Sequence, residues 1–420
     1  MPRFTTDRAV RILYLCADQG IPILGRRGCS THVRETCRAL RAAGHGVTIL
    51  ASQKGRDQQL GRDLPIVEVK PLRLRRLGYD LRNAWQNVPF ARKAREIVEN
   101  EGIDAIYERF SLYSLAGTWL GRRYALPRIV EVNAFLTVEQ RDKLHFLKLA
   151  ELAERYIVRN APALVVVSQP LVDALVKLGV DPARIHIMPM AVDVSHFRPN
   201  REGAAEIRRK WNLEGRYVVG YVGSLSGWHG ISLLHDMVKL MRRQRGDFAI
   251  FVVGGERGQI KRHRERAARE GLAEHLIFAG SVPYQEVPDH ICAMDAALVP
   301  DTNFWTCPTK IFEYQASGVP AIAPKYPAVL GAIDDGEEGL LFEPRDVSGS
   351  VACVLRLADD PELRRAMGER ARRRVVATHS WQHNVARIIA LYEQMGCDGD
   401  GPRPQHGPGP QRPCEKGEES

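Results

Sequence analysis

A lysine lies in an electrostatically unfavourable position in TCPTKIFEYQASGVPA, residues 306–321. Thr306 as a capping residue, a proline in the first turn and a closing glycine predict a short helix over 308–317. Lys310 then falls in the first turn, where the helix macrodipole disfavours a cation by about 0.3–1 kcal/mol. An anion bound at the free N–H groups of that turn would make the lysine useful. An i,i+3 ion pair with Glu313, worth about 0.2–0.5 kcal/mol, is the alternative, and this stretch alone does not decide between them.

A second loop with anion-binding character is GRRGCSTHV, residues 25–33, which leads into a predicted helix over 32–44. Gly28 lets the backbone approach a ligand closely, and Arg27 adds positive charge. Ligands of open parallel sheets bind beyond the carboxyl ends of the strands, in loops of this kind. The two loops therefore predict a cleft between two halves of the chain, with an anionic ligand inside it.

Apolar strand patterns alternate with helical patterns along both halves, which predicts doubly wound parallel sheets. The predicted strands are 10–16, 45–52, 104–110, 128–135 and 163–169 in the first half, and 217–225, 248–255, 275–282, 295–300 and 320–325 in the second. We expect two Rossmann-like domains, over 1–198 and 199–378. An amphipathic helix within 379–396 should pack back toward the N-terminal domain, and the Gly/Pro-rich tail 397–420 should be disordered.

Composition limits the class of protein. The 420 residues suggest two domains, and 44% apolar with 26% charged residues is typical of a soluble globular chain. No apolar run approaches the ~18 residues of a membrane span, and the N-terminal run is too short for a secretory signal. The eight cysteines form no CxxC pair, so we expect a reducing cytoplasm and no metal site.

The net charge of +10 has no nucleic-acid-binding motif beside it, so we expect no nucleic-acid partner. Leucines alternate with arginines in KPLRLRRLGYDLR, residues 70–82. A solvated surface segment is one interpretation. The other is a peripheral contact with an anionic membrane surface or an anionic acceptor.

The chain resembles the retaining GT-B glycosyltransferases of family 4 along nearly all of residues 8–396. The resemblance is carried by GCSTHVRETCRALRAAGHGVTIL, IHIMPMAVDVSHFRP, GYVGSLSGWHGISLL, IFEYQASGVPAIAP and DGEEGLLFEPRD, in that order. It implies a GT-B fold, in which two Rossmann-like doubly wound domains face a cleft. The C-terminal domain would bind a nucleotide-sugar and the N-terminal domain an acceptor.

The resemblance also implies a donor site. The donor diphosphate would lie on the 308–317 helix, held by Lys310 and nearby backbone amides, and Glu313 would accept hydrogen bonds from the ribose hydroxyls. The donor-binding positions implied in this chain are Gly28, Gly223, Ser224, His229, Gly254, Val282, Cys307, Pro308, Thr309 and Ile311.

Several positions depart from the family pattern. Trp305 replaces the first Glu of the E-x7-E motif, and Ser224 and His229 replace the Arg and Lys that clamp the diphosphate. Lys310 stands where the common motif has Pro, as in a branch that has P-x-K-x-x-E-Y, and is the expected replacement cation. His229 either assists, protonated or as a neutral donor, or is only a turn residue.

The N-terminal half departs as well. Asn133 takes the place of a histidine and could hydrogen-bond a sugar hydroxyl, while Glu131 is expected to be structural or acceptor-facing. Glu108 and Arg109 are expected to form a structural pair. The residues assigned to the acceptor side are Arg27, Ser30 and His32.

The predicted function is transfer of a glycosyl group from a UDP- or GDP-sugar to a hydroxyl with retention, in polysaccharide, glycolipid or natural-product glycosylation. Lys310, Glu313 and Asn133 would be the catalytic residues, with no metal and no cofactor besides the donor substrate. A lipid-linked saccharide and a soluble acceptor both stay open, as do the cytoplasm and the inner membrane face. The alternatives are a catalytically silent nucleotide-sugar-binding or scaffold protein, and a nucleotide-sugar 2-epimerase.

Overall fold

The computed structural model describes residues 9–25, 27–71 and 78–396. Its N-terminal half forms a parallel sheet of seven strands in the order β3-β2-β1-β4-β5-β6-β7. The strands are β1 (Arg11–Cys16), β2 (Gly46–Ala51), β3 (Ile66–Glu68), β4 (Ala105–Arg109), β5 (Arg128–Val132), β6 (Ala163–Val166) and β7 (Ile185–Ile187).

The C-terminal half forms a second parallel sheet, of six strands in the order β10-β9-β8-β11-β12-β13. The strands are β8 (Tyr217–Val222), β9 (Phe248–Val253), β10 (Leu276–Gly280), β11 (Ala296–Leu298), β12 (Ala321–Pro324) and β13 (Gly339–Phe342).

Helices connect the strands of both sheets. They are α1 (Gly28–Ala42), α2 (Tyr79–Glu101), α3 (Ala116–Arg123), α4 (Leu136–Glu139), α5 (Leu147–Arg159), α6 (Gln169–Lys177), α7 (Arg201–Lys210), α8 (Ile231–Met241), α9 (Arg257–Arg269), α10 (Val287–Cys292), α11 (Thr309–Ala316), α12 (Pro327–Leu330), α13 (Val347–Asp359), α14 (Pro361–Thr378) and α15 (Trp381–Gln394). Short 3-10 turns occur at Gln58–Gly61, Arg141–Lys143, Pro182–Arg184, Gly227–His229 and Tyr284–Glu286.

The strands are apolar almost throughout because helices cover both faces of each sheet. Leu13 of β1 pairs with Ile106 of β4, and this row of side chains packs against α2 and α3. Tyr14 pairs with Tyr107 in the next row, which points to the opposite face and packs against α1 and α15. The described structure therefore has the predicted architecture of two doubly wound parallel sheets.

The last helix returns to the first half of the chain. Ser380 caps α15, and its apolar side, including Ile388 and Tyr392, enters the core beneath α1. Val192 forms an isolated parallel bridge with Ser380 where the chain crosses between the halves.

The structure also corrects local predictions. Helix α1 begins at Gly28 rather than at residue 32, so Ser30 and His32 lie in its first turns. Helix α11 begins at Thr309 with Pro308 as its N-cap and without a side-chain cap, so the prediction of Thr306 as the cap was wrong. The core of the predicted basic segment, 72–77, and the predicted disordered tail, 397–420, lie outside the described residues.

Candidate functional site

The ammonium of Lys310 is buried at the start of α11 and has an aromatic partner. Its side chain donates a hydrogen bond to the Tyr221 hydroxyl at 3.0 Å, and Nζ lies 4.2 Å from the centre of that ring. Only 8% of Lys310 is exposed, yet no carboxylate oxygen of the described residues lies within 4.0 Å of Nζ. The alternative i,i+3 ion pair with Glu313 is therefore not formed in this structure.

Tyr221, which the sequence analysis did not identify, connects two parts of this site. The residue lies in β8, and its hydroxyl donates to the Ser224 carbonyl at 2.7 Å while it accepts from Lys310. The tyrosine therefore fixes both the lysine and the loop that follows β8. A tyrosine in an apolar strand, two residues before Gly223, is the signal that could have indicated it.

Two of the predicted donor-site glycines allow close approaches at the ends of the strands. Gly223 has φ +146°, and a Cβ there would lie 2.9 Å from the Lys310 Nζ. Gly254, at the end of β9, has φ +111°, and a Cβ there would collide with the Gly223 carbonyl oxygen. The positive φ favours glycine at both positions, and at Gly254 the close approach to the Gly223 backbone leaves no room for a side chain.

His229 lies in the 3-10 turn after this loop, where it is buried under the exposed ring of Trp228. The two ring centres are 3.5 Å apart, and the Nδ1 atom of His229 has no hydrogen-bond partner among the described residues. Burial, with a further contribution from Lys310, lowers the pKa of His229 to about 3. Of the two forms considered above, this structure favours the neutral imidazole, and the role of His229 toward a donor stays a prediction.

Burial acts on both charged residues of α11. It lowers the pKa of Lys310 to about 7, against the attraction of Glu313, which raises it. It raises the pKa of Glu313 to about 7, against the attraction of Lys310, which lowers it. An anion bound beside Lys310 would favour its protonated form.

Backbone amides at this helix terminus are only partly available. The Ile311 N–H already donates to the Pro308 carbonyl at 3.1 Å in this conformation, and its predicted contact with the diphosphate stays a prediction. The N–H groups of Thr309 and Lys310, in the first turn, have no side-chain cap. These two amides face the same end of the helix as the lysine.

The loop before α11 is anchored on both sides. Its buried Asp301 accepts hydrogen bonds from the Thr302 N–H at 2.9 Å and the Tyr326 hydroxyl at 3.0 Å. Trp305 packs against the apolar cluster of β5 and β6 in the N-terminal half, and its carbonyl accepts from the Ser168 hydroxyl at 2.8 Å. Trp305 is therefore a contact between the two halves of the chain.

The remaining donor-site positions differ in exposure. Cys307 is buried, Thr309 and Val282 are partly buried, and Ser224 is exposed with its hydroxyl 3.2 Å from that of Ser226. Gly28 is exposed at the first position of α1, with open space where a Cβ would lie. Their roles toward a donor stay predictions.

On the N-terminal side, two of the three predicted acceptor-side residues are buried. Arg27 is exposed as the N-cap of α1, but Ser30 is fully buried and its hydroxyl has no partner among the described residues. The His32 ring is buried and bonds Glu131 through Nε2. These placements do not support direct acceptor contacts from Ser30 or His32 in this conformation.

Glu131 is the centre of a buried polar network. Besides His32, it accepts a hydrogen bond from the Asn133 amide at 2.9 Å, and the Arg109 guanidinium lies 3.8 Å from the same oxygen. Burial would raise the pKa of Glu131, but His32 and then Arg109 outweigh it and lower the pKa to about 2. The Glu131 carboxylate is thus held inside the protein by these partners, and Asn133, at the carboxyl end of β5, is held against it.

The predicted pair of Glu108 with Arg109 was wrong. Glu108 instead pairs with Arg128 of the neighbouring strand at 2.7 Å, with both side chains buried. Adjacent residues of a strand point to opposite faces, so Glu108 and Arg109 cannot face each other.

Arg34 is a further residue that sequence reasoning missed. Its buried guanidinium donates to the Ile23 and Gly25 carbonyls, both at 2.6 Å, and to the Thr31 hydroxyl at 3.2 Å. The side chain therefore fixes the loop that leads into α1.

The two parallel sheets meet at loops that follow their strands, where Ser168 after β6 contacts Trp305 after β11. This arrangement is the GT-B fold. The family model described as Glycosyltransferase Family 4 matches residues 26–196, and the model described as Glycosyl transferases group 1 matches residues 204–374. Since these matches together span most of the chain, the protein belongs to the GT-B glycosyltransferases of these families. The predicted fold and family are confirmed, whereas retention and the donor motif stay predictions.

Similar proteins carry related names. A D-inositol 3-phosphate glycosyltransferase of Corynebacterium jeikeium is 30% identical over 58% of this chain and 60% of its own length. A GDP-mannose-dependent phosphatidylinositol monomannoside mannosyltransferase of Mycolicibacterium smegmatis is 28% identical over 50% of this chain and 56% of its own. The structure of HepE from Anabaena in complex with UDP superimposes with a TM-score of 0.75 at 17% identity, over 92% of this chain and all of HepE.

Proposed function

We propose that the protein transfers a glycosyl group from a nucleoside diphosphate sugar to a hydroxyl acceptor, with retention of anomeric configuration. The observation that carries this proposal is the buried Lys310 ammonium at the uncapped start of α11, held by Tyr221 and by no carboxylate of the described residues. The unpartnered Nδ1 of His229 nearby is a second polar group without a protein partner there. A donor diphosphate would satisfy both groups.

The base of the donor nucleotide is proposed to be uracil or guanine. HepE, which shares the fold, was solved with UDP, and the Mycolicibacterium smegmatis relative is named as GDP-mannose-dependent. Glu313, partly exposed on α11, is proposed to accept hydrogen bonds from the ribose hydroxyls. Ionisation of Glu313 would strengthen these bonds.

In the proposed mechanism, the bond between the sugar and the diphosphate breaks while negative charge develops on the departing phosphate oxygen. Lys310, protonated beside that anion, and the N–H groups of Thr309 and Lys310 stabilise the charge. The acceptor oxygen attacks from the same face, and its proton passes to the departing phosphate. Asn133 would position a sugar hydroxyl through its amide.

The acceptor is proposed to be a hydroxyl of a lipid-linked or soluble saccharide or metabolite. The names of the two relatives mention inositol phosphate and phosphatidylinositol monomannoside, one soluble and one lipid-anchored compound. A membrane contact through residues 70–82 stays a proposal, and residues 72–77 of it lie outside the described part of the chain.

Thermal denaturation of the purified protein in the presence of UDP, GDP, ADP or one of their sugar conjugates tests the donor site. We expect one nucleotide to raise Tm selectively, and Lys310→Met to abolish that rise. The exposed Lys210→Met on α7 is the matched control and should keep it. Absence of any rise in the wild type would contradict the donor site.

A catalytically silent binding protein is the second candidate, favoured by Trp305. Its side chain lies in the contact between the halves at the position of the missing Glu. Nucleotide binding without transfer to any hydroxyl of an acceptor panel would support this candidate. Conversion of the donor sugar without an acceptor would instead indicate an epimerase.

A further inference from the structure

Trp305 has a buried hydrogen-bond donor that the proposed function does not use. The indole lies in the loop between β11 and α11 and is partly buried against the apolar cluster of the N-terminal half. Its Nε1 atom is covered, yet it has no hydrogen-bond partner among the described residues. An indole N–H can only donate, and a donor that has lost water without gaining a partner costs free energy. The Nε1 atom therefore indicates an acceptor that a ligand could supply.

The backbone around Trp305 fixes the position of the indole. The Trp305 carbonyl accepts a hydrogen bond from the Ser168 hydroxyl of the other half at 2.8 Å. The loop is also closed on itself, because the Thr302 hydroxyl donates to the Thr306 carbonyl at 3.4 Å. Within it, the Thr306 N–H donates to the Asn303 carbonyl at 3.3 Å. The indole is therefore held both by its own loop and by the contact between the halves.

The order of the residues along the chain would place a donor sugar beside this indole, and to this extent the inference rests on the proposed function. The nucleoside would lie at Glu313 and the diphosphate at Lys310, about one helical turn earlier in α11. A sugar at the other end of the diphosphate would continue in the same direction, toward the loop before α11. Trp305 lies in this loop, at the contact between the halves. A sugar held between the halves would therefore replace part of the surface that covers Nε1.

The apolar surroundings of Nε1 limit the kind of oxygen that suits it. A sugar hydroxyl could accept the hydrogen bond, but its own proton would then lie against the apolar cluster without a partner. A carboxylate has no proton to place, but its charge would be buried without a cation, because Lys310 would be paired with the diphosphate. A neutral carbonyl oxygen accepts the bond and leaves neither a proton nor a charge unpaired. An acetamido group supplies such a carbonyl, and its methyl group can pack against the apolar cluster.

We propose that Trp305 determines the specificity for the donor sugar, and that its Nε1–H donates to the carbonyl of an acetamido group at carbon 2 of a UDP-linked sugar. Carbon 2 adjoins the anomeric carbon that carries the diphosphate, so its substituent stays close to the loop before α11. The N–H of a trans amide points away from the carbonyl oxygen and would face the polar side of the cleft. Of the two proposed bases, uracil is chosen because HepE, which shares the fold, was solved with UDP.

Calorimetric titration of UDP, UDP-glucose, UDP-N-acetylglucosamine and UDP-glucuronic acid into the full chain tests the inference, because the three sugars share one nucleotide. We expect UDP-N-acetylglucosamine to bind at least about fivefold more tightly than UDP-glucose. Equal affinity for these two, or tightest binding of UDP-glucuronic acid, would overturn the inference and leave the donor site standing. If UDP itself does not bind, the UDP donor site fails and the inference fails with it.

Trp305→Phe keeps an aromatic ring against the apolar cluster and removes the N–H donor. The preference for UDP-N-acetylglucosamine over UDP-glucose should fall roughly two- to tenfold in this variant, while the affinity for UDP should equal that of the wild type. Trp211→Phe is the matched control, because Nε1 of Trp211 is also buried and without a partner among the described residues, but this ring packs on Phe251 in the core of the C-terminal half. It should keep the wild-type preference. An unchanged preference in Trp305→Phe, or an equal loss in both variants, would overturn the role of Trp305.

Discussion

Replacement of Tyr221 by phenylalanine tests whether this residue positions Lys310. The change removes one hydroxyl, which accepts from Lys310 at 3.0 Å and donates to the Ser224 carbonyl at 2.7 Å. The ring stays, and so does its contact with the ammonium at 4.2 Å. The perturbation is therefore confined to two hydrogen bonds beside the proposed phosphate site.

The expected size follows from the charge of the donor. A hydrogen bond to a charged group contributes about 1.5–3 kcal/mol, and each 1.4 kcal/mol corresponds to about tenfold in an equilibrium constant. We therefore expect Tyr221→Phe to weaken the affinity for the preferred nucleoside diphosphate roughly ten- to hundredfold. The pKa of Lys310 should fall further without the hydroxyl, so the loss of affinity with rising pH should begin at a lower pH in the variant.

Calorimetric titration of the diphosphate into both proteins across a pH series is the assay. Tyr113→Phe is the matched control, because it also removes a buried hydroxyl that bonds a charged group, Asp80, at 2.6 Å in the N-terminal half. It should lower stability to a similar extent and leave nucleotide affinity unchanged. Wild-type affinity and an unshifted pH profile in Tyr221→Phe would refute the positioning role.

Three further changes have defined expected outcomes. Burial raises the pKa of Glu313 from 4.5 to about 7, so the folded state holds this proton more tightly than the unfolded state and the free energy of unfolding falls as pH rises from 4.5 to 7. In urea denaturation measured across this pH range, Glu313→Gln should remove the decrease. An unchanged decrease would contradict the burial argument. The pKa of Lys310 is lowered from 10.5 to about 7, so the free energy of unfolding should rise as pH rises between 7 and 10.5. Lys310→Met should abolish this rise. If the variant keeps the rise, another group causes it. Glu131→Gln leaves Arg109 and His32 without their buried carboxylate and should lower the free energy of unfolding by about 3–5 kcal/mol. At a temperature where the variant is folded, its nucleotide affinity should equal that of the wild type. A decrease in stability near zero would show that Glu131 is not structural.

Much of the fold could be predicted because apolar strands and their spacing are local signals. The ten predicted strands all occur, but β3, β7 and β13 were missed. All three lie at the edges of their sheets, where β3 and β7 are only partly buried. The strands β6, β11 and β12 are equally short but fully buried, and their apolar runs made them recognisable. The start of α1 was placed late because Gly28 and Cys29 are poor indicators of a helix, although α1 begins at Gly28.

The site could be predicted only where its residues lie close together along the sequence. Lys310 and Glu313 lie on one short helix, so their proximity follows from the sequence. Tyr221 is 89 residues from Lys310 along the chain, and the contact arises from the pairing of β8 with β11. The partner of Glu108 likewise depends on which strand lies beside β4, and a neighbouring arginine in sequence was misleading.

The measurement that tests the central claim most directly is a comparison of affinities for a nucleoside diphosphate and for its nucleoside, in wild type and Lys310→Met. If the diphosphate lies on α11 beside Lys310, the wild type should prefer the diphosphate strongly, and the variant should lose at least about tenfold of this preference, a coupling of about 1.4 kcal/mol. Affinity for the nucleoside alone should be the same in both proteins. An equal preference for the diphosphate in wild type and Lys310→Met would contradict the claim that this lysine binds the donor phosphates.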